Sequence, residues 1–153
     1  MRRIYVVGTA DTKGTTVDGI HADTSGSGAI VINTGGLTQG NDDGIQADST
    51  GGSNITVNNN GQTTGGTGAG VKATSSGGNG VVAVNVGGAT SGTIGVLASS
   101  TGTGSVTVKD VNSNSITGTG GDGINASNTT GTGVVSVGTG TGDRIAGAVL
   151  GTG

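Results

Sequence analysis

The chain contains no proline, no cysteine, no phenylalanine and no tryptophan in 153 residues. Without proline no position has its φ fixed and no backbone N–H is missing, so β-ladders are free to run throughout. Without cysteine there are no disulfides and no thiolate metal sites; an oxidising location is permitted, not required. Tyr5 is the single aromatic residue, so any core must be built from Val and Ile. Basic residues are scarce: six Lys+Arg stand against nine Asp+Glu, for a net charge of −3, and only Arg2-Arg3 are clustered. The electrostatic footprint of a nucleic-acid binder is missing, and no nucleic-acid partner is expected. No run approaches the ~20 apolar residues of a membrane-spanning helix, so no membrane insertion by this segment is expected. Met1-Arg2-Arg3 before Ile4-Tyr5-Val6-Val7 imitates the start of a signal peptide. Its apolar stretch is shorter than the roughly 7 to 15 residues of a signal core, and no export signal is read here.

What the chain does have is glycine, 37 residues of it, with 29% hydrophobic residues. Leu, Ile, Val and Phe together make up about a fifth, too little apolar volume for an ordinary globular core. A low net charge argues against simple disorder, although a low-complexity chain without a stable fold stays open as an alternative.

A short phrase recurs: Gly19-Ile20-His21-Ala22, Gly44-Ile45-Gln46-Ala47, Gly70-Val71-Lys72-Ala73, Gly95-Val96-Leu97-Ala98 and Gly123-Ile124-Asn125-Ala126. The steps are 25 (44−19), 26 (70−44), 25 (95−70) and 28 (123−95) residues. A second apolar pair recurs as Ile30/Ile32, Ile55/Val57, Val82/Val84, Val106/Val108 and Val135/Val137, and a third site as Leu37, Thr63, Ala89, Ile116 and Ile145. Each unit therefore reads as three short strands of period-2 alternation separated by Gly, Asn, Asp, Ser and Thr. Ala148-Val149-Leu150 stands where a sixth first strand belongs.

A fixed period in this range marks an array in which each unit buries its apolar side against its neighbours. The expectation is an all-β parallel β-helix with about 25 residues and three strands per turn, about five turns tall, over residues 15–153; its right-handed sense is implied only by the family resemblance given below. Residues 1–14 read as an N-terminal strand or cap. Ile20/Ala22, Ile30/Ile32, Leu37 and their equivalents should face inward, and His21, Gln46, Lys72, Leu97 and Asn125 outward.

Corners carry their own signals. Asp18-Gly19, Asp43-Gly44 and Asp122-Gly123 read as turns in which Gly supplies φ > 0 and Asp bonds local backbone amides. Asn33, Asn58 and Asn85 recur after the second strand; they can stack amide to amide as in cross-β ladders, or serve as turn residues that tolerate the left-handed region. The long step before Gly123 places an insertion at Lys109 to Asn114, to be looped out at one corner. The last turn, Val137 to Gly153, should present unpaired strand edges, so end-to-end self-association is expected.

Thr101-Gly102-Thr103-Gly104-Ser105-Val106-Thr107-Val108 and Thr119-Gly120-Gly121-Asp122-Gly123-Ile124-Asn125-Ala126 resemble repeats of bacterial autotransporter passenger domains and related surface adhesins, over about residues 15–153. The resemblance implies export, display at the outer membrane by a C-terminal β-barrel, and a right-handed β-helical stalk. It implies an extracellular or cell-surface location and a partner on a host or neighbouring cell. Ile4 to Gly14 resembles instead the opening strand and glycine turn of a Rossmann-like ATP-binding family related to a plant virus-resistance protein. Here the following residues, Thr15-Thr16-Val17-Asp18-Gly19, lack that family's helix, and phosphate binding needs a helix N-terminus behind the loop. The P-loop spacing is also absent.

Candidate chemistry centres on carboxylates. Asp23 and Asp48 are one period apart, with Asp18 and Asp43 at the preceding corner. Stacked carboxylates repel unless water or a cation screens them, so these four residues form a candidate calcium site. Gly120-Gly121-Asp122-Gly123-Ile124-Asn125 echoes the calcium-binding nonapeptide of repeat-in-toxin proteins, with Asn125 where Asp is required. His21, the only histidine, lies near Asp23 but is replaced by Gln, Lys, Leu and Asn in later turns, as a solvated strand position would be. Pectin-cleaving β-helix enzymes need clustered Asp beside Lys or Arg, and sugar-binding ones add aromatic platforms. Lys72, Lys109 and Arg144 sit on three different turns, so no catalysis is expected. The reading is a structural or adhesive segment; the alternative is a calcium- or glycan-binding module.

Overall fold

The computed structural model describes residues 3–129, 132–138, 144–146 and 149–152; Met1, Arg2 and Ala148 lie outside them. It is a parallel β-solenoid. One sheet stacks β1 (Ile4–Gly8), β4 (Ile30–Thr34), β7 (Ile55–Asn59), β10 (Val82–Val86), β13 (Val106–Asp110) and β16 (Val135–Gly138). The second stacks β2 (Thr12–Lys13), β5 (Thr38–Gln39), β8 (Thr63–Thr64), β11 (Thr90–Gly92), β14 (Ser115–Gly118) and β17 (Arg144–Ala146). The third stacks β3 (Ile20–Thr24), β6 (Ile45–Ser49), β9 (Ala69–Ser75), β12 (Ile94–Ser100), β15 (Ile124–Asn128) and β18 (Val149–Thr152). Each strand pairs in parallel with the strand one coil away, at steps in the first sheet of 26 (30−4), 25 (55−30), 27 (82−55), 24 (106−82) and 29 (135−106) residues. The repeat is thus about 26 residues, and five steps at the usual strand spacing make a stack about 24 Å high.

The core is a set of vertical files. Ile20, Ile45, Val71, Val96 and Ile124 stand over one another in the third sheet, and Ala22, Ala47, Ala73, Ala98 and Ala126 form a second file two residues on. Opposite them rise Ile30, Ile55, Val82 and Val106 beside Ile32, Val57, Val84 and Val108, all fully buried. Burying one such Val or Ile side chain is worth about 1.5–3 kcal/mol. Because each file is continuous, a chain poor in apolar residues still excludes water from the interior of the coils between the first and the last. His21, Gln46, Lys72, Leu97 and Asn125 form the outward file expected of them, and Val149 takes its place over Ile124.

Three expectations are corrected. The third inward file is Thr12, Thr38, Thr63, Thr90 and Ile116, with Ile145 paired in backbone register to Ile116; Leu37 is only half-buried and Ala89 is exposed, each one residue out of register. Sequence apolarity pointed to Leu37 and Ala89, whereas the inward face of these two- and three-residue strands carries threonine. The corner glycines do not supply φ > 0: among the described residues only Gly52, Gly77, Gly78 and Ser113 do. Gly44 is required by crowding, since a Cβ there would lie 2.6 Å from both the Gly70 carbonyl oxygen and Thr63 Cγ2. The segment Ile4 to Lys13 is strand as expected, but it belongs to the solenoid itself, supplying two strands of the first coil.

Inward threonines are satisfied by an interior amide. Asn59, fully buried, accepts from the Thr34 hydroxyl (3.0 Å) and the Thr63 hydroxyl (2.7 Å) and donates from Nδ2 to Thr90 Oγ1 (2.8 Å). Buried hydroxyls need such partners. On the outer face of the same sheet Asn85 donates to Asn58 (2.8 Å), Asn58 to Asn33 (2.6 Å) and Asn33 to the Tyr5 hydroxyl (3.1 Å). The amide-to-amide ladder therefore forms, with Lys109 and Gly138 continuing the file without it. The insertion lies where expected: residues 111–115 separate Asp110 from Ile116, where 87–89 separate Val86 from Thr90. Asp110 folds this corner back by accepting from the backbone N–H of Asn112 (3.1 Å) and Asn114 (2.8 Å).

Candidate functional site

The densest charge in the molecule lies along the third sheet and the corner leading into it, over the first three coils. Register sets Asp23 directly over Asp48, as the period requires. Asp18 and Asp43 occupy the equivalent corner position one coil apart, each just before the crowded glycine. Parallel stacking brings Lys72 into the same patch, one coil beyond Gln46.

Each carboxylate has protein donors. Asp18 Oδ1 accepts the backbone N–H of Asp43 (3.0 Å), and Asp43 Oδ1 accepts that of Ala69 (2.6 Å), one coil further. The corner aspartates thus bond backbone amides of the next coil, not local ones, and the relay ends where Ala69 replaces Asp. Asp42, which the sequence reading passed over, accepts from the Thr67 hydroxyl (3.0 Å). Asp48 accepts from Gln46 Nε2 and from the Thr74 hydroxyl. Lys72 Nζ lies 3.7 Å from Asp43 Oδ2 and 3.8 Å from Asp48 Oδ2. Stacking, not sequence proximity, delivers Lys72 to the clustered aspartates.

His21 bridges two of the aspartates, Nδ1 to Asp18 Oδ2 and Nε2 to Asp23 Oδ2, both at 2.7 Å. Only the imidazolium can donate to both. The carboxylates of Asp23 and Asp18 accordingly hold its pKa above the ordinary 6.5, against a smaller opposing effect of partial burial. Burial raises the Asp43 carboxyl above 3.8, with the Ala69 amide and the Lys72 ammonium pulling it back.

Of the four predicted calcium ligands, the structure brings Asp18 and Asp43 together with Asp42, with one oxygen of each within 4.8 Å of the others. Asp23 and Asp48 stack beside this trio and turn to His21 and to Gln46, Thr74 and Lys72. Only spatial stacking reveals Asp42; its sequence signal was adjacency to Asp43. The donor set, carboxylates alone and already engaged by amides, hydroxyls, the His21 ring and an ammonium, suits a corner clamp that ties coil to coil. Beside it a shallow groove of about 290 Å³ is lined by Asp42, Asp43, Thr67, Lys72, Ile94 and Leu97. At Gly120 to Asn125 the Asp122 carboxylate accepts from Asn125 Nδ2 (2.9 Å), a strand-entry contact within one coil. In the opening segment the Asp11 carboxylate accepts the Leu37 N–H (2.9 Å), again joining two coils.

Comparison with protein families, with curated proteins and with solved structures finds no match. Among the described residues, no helix is long and apolar enough to cross a membrane. Function is therefore read from the geometry and from the resemblance of the repeats.

Proposed function

We propose that this chain is a structural, adhesive segment of a bacterial cell-surface protein of the autotransporter passenger type, acting without catalysis as a stiff stalk that presents its faces to a component of a host or neighbouring cell. One observation carries the reading: the polar groups that chemistry would need are spent on joining one coil to the next. The Asn33–Asn58–Asn85 ladder, the Asp18 and Asp43 clamps and the Asp11 bond all run along the solenoid axis. Such cross-links stiffen a rod, and repeated coils add length without requiring a new core. The test is display. Placed between an export signal and a translocating outer-membrane barrel, the chain should reach the cell surface folded, and beads coated with it should bind host cells or bacteria saturably. Retention in the periplasm would remove the surface assignment, and absence of saturable binding the adhesive one.

A second reading, a calcium-dependent module, is favoured by the approach of Asp18, Asp42 and Asp43. Thermal melts with and without calcium separate the two. A clamp made of protein donors predicts unchanged melting; a rise that is lost in Asp42→Asn would favour the ion.

A further inference from the structure

We infer that the two ends of the solenoid are complementary halves of one interface, and that its partner is a second copy of this chain, docked head to tail. The inference is independent of the adhesive reading. It rests on the interface that already joins every pair of coils. Among the described residues every strand pairing is parallel, and the same files pass through each of them.

At the first coil those files stop short of cover. Ile4 and Val6 are only partly buried against the core, whereas Ile30 and Ile32, one coil on, are at 0% exposure. Val135 and Val137 are the corresponding partly buried pair at the other end. The backbone shows the same incompleteness. Ile4 donates its N–H to Ala29 and Gly8 accepts from Gly35, both toward β4. In a parallel ladder successive residues point to opposite sides, so the peptide groups of Tyr5 and Val7 face the free edge. In β16 the Val134 carbonyl accepts from Val106, so the groups of Val135 and Val137 face the opposite free edge.

Setting β1–β3 of one copy against β16–β18 of another extends all three sheets by the step they already repeat. Val135 would meet Ile4, Val137 would meet Val6, and the positions of Ile145 and Val149 would continue to Thr12 and Ile20. No junction position pairs like charges: Ser136 meets Tyr5, Gly138 meets Val7, Ala146 meets Lys13, Leu150 meets His21, Thr152 meets Asp23, and the one pair of charges, Arg144 with Asp11, is of opposite sign. Joining two first coils would instead make antiparallel pairs, which occur nowhere among the described strands. A heterologous contact of this kind does not close on itself and grows into a filament. An exposed edge with apolar files is the usual route to such growth.

The test uses the full chain in sedimentation velocity and light scattering. Average mass should rise severalfold over roughly a hundredfold range of concentration, as mass action requires. Val7→Pro removes an N–H that faces only the free edge and leaves the pairing of β1 with β4 intact, so the variant should keep its strand spectrum and stay monomeric. Because its other end is still competent, adding it to the wild-type chain at about one part in ten should shorten the assemblies, as a chain terminator does in head-to-tail growth. If Val7→Pro does not fold, Val137→Lys blocks the opposite end and should act in the same way. A wild-type chain that remains monomeric throughout, a folded end variant that associates as the wild type does, or a mixture of undiminished size would each overturn the proposal.

Discussion

Replacing Asn59 by alanine should cost far more than replacing its neighbour Asn58, although the two are the same residue type on the same strand. Asn59 points inward, and its loss strands the Thr34 and Thr63 hydroxyls, which are 3% and 0% exposed, without their acceptor. Thr90 loses a donor but keeps its own bond to the Gly88 carbonyl (3.1 Å). At about 1–3 kcal/mol for each of the two buried groups left unsatisfied, Asn59→Ala should destabilise by roughly 2–6 kcal/mol. Asn58 bonds Asn33 and Asn85 on the outer face, where water can replace both, so Asn58→Ala should cost about 0.5–1.5 kcal/mol. Asn59→Val separates hydrogen bonding from volume, because Val86 occupies the same file one coil on. It fills the space and still orphans both hydroxyls, so it should remain severely destabilised, and adding Thr34→Val and Thr63→Val should recover most of the loss. Guanidinium unfolding followed by far-ultraviolet circular dichroism measures all five chains. If Asn59→Ala and Asn58→Ala fall within about 0.5 kcal/mol of each other, or Asn59→Val alone restores stability, the interior amide is not what holds these coils together.

Gly44→Ala should destabilise by about 1–3 kcal/mol through overpacking against the Gly70 carbonyl and Thr63, and a melting temperature equal to wild type would refute the crowding argument. Asp43→Asn keeps an acceptor for the Ala69 N–H and relieves a buried charge, so it should cost less than Asp43→Ala, which orphans that amide at about 1–2 kcal/mol; equal losses in urea titrations would sink the clamp. The raised Asp43 pKa gives a signed pH dependence. Below 3.8 both folded and unfolded forms are protonated, and as pH rises from 3.8 through the folded value this group's contribution to stability falls, a slope that Asp43→Asn should abolish in pH-dependent melts. His21 acts at higher pH: its stabilisation is complete below 6.5 and is lost as pH rises through the elevated folded value. Thermal melts taken through and above that range should show a decline that His21→Gln lacks, and identical curves would count against the double bridge.

The fold was legible because the solenoid writes its geometry directly into spacing. A file such as Ile20, Ile45, Val71, Val96 and Ile124 can be read without structure, since each member must recur after one circuit and must be apolar to exclude water. The Asn33, Asn58 and Asn85 ladder was legible for the same reason, although its position within the strand, not at a corner, was not. The second sheet misled. Its strands of two to four residues are too short to show alternation, so apolarity chose Leu37 and Ala89 where the inward residues are Thr38 and Thr90. A one-residue slip of that kind exchanges the two faces of a strand.

The charged patch was only half legible, for a reason that follows from the same geometry. Asp18, Asp23, Asp43 and Asp48 announce themselves by period, but period says which residues stack and nothing about which way a carboxylate turns. That choice depends on donors that arrive from other coils: the Ala69 amide for Asp43, Thr74 and Lys72 for Asp48. Those donors have no repeat of their own, since Ala69 follows Asp43 at the corner and Lys72 follows Gln46 in the outward file. Where successive coils carry the same residue, sequence predicts the contact; where they change, as from Asp43 to Ala69, the side chain is recruited across coils and stacking alone decides its partner. Breaks in the repeat are therefore the places in this solenoid where local charge chemistry is set. The relay of corner aspartates ends at one such break, and Lys72 reaches Asp43 and Asp48 beside it.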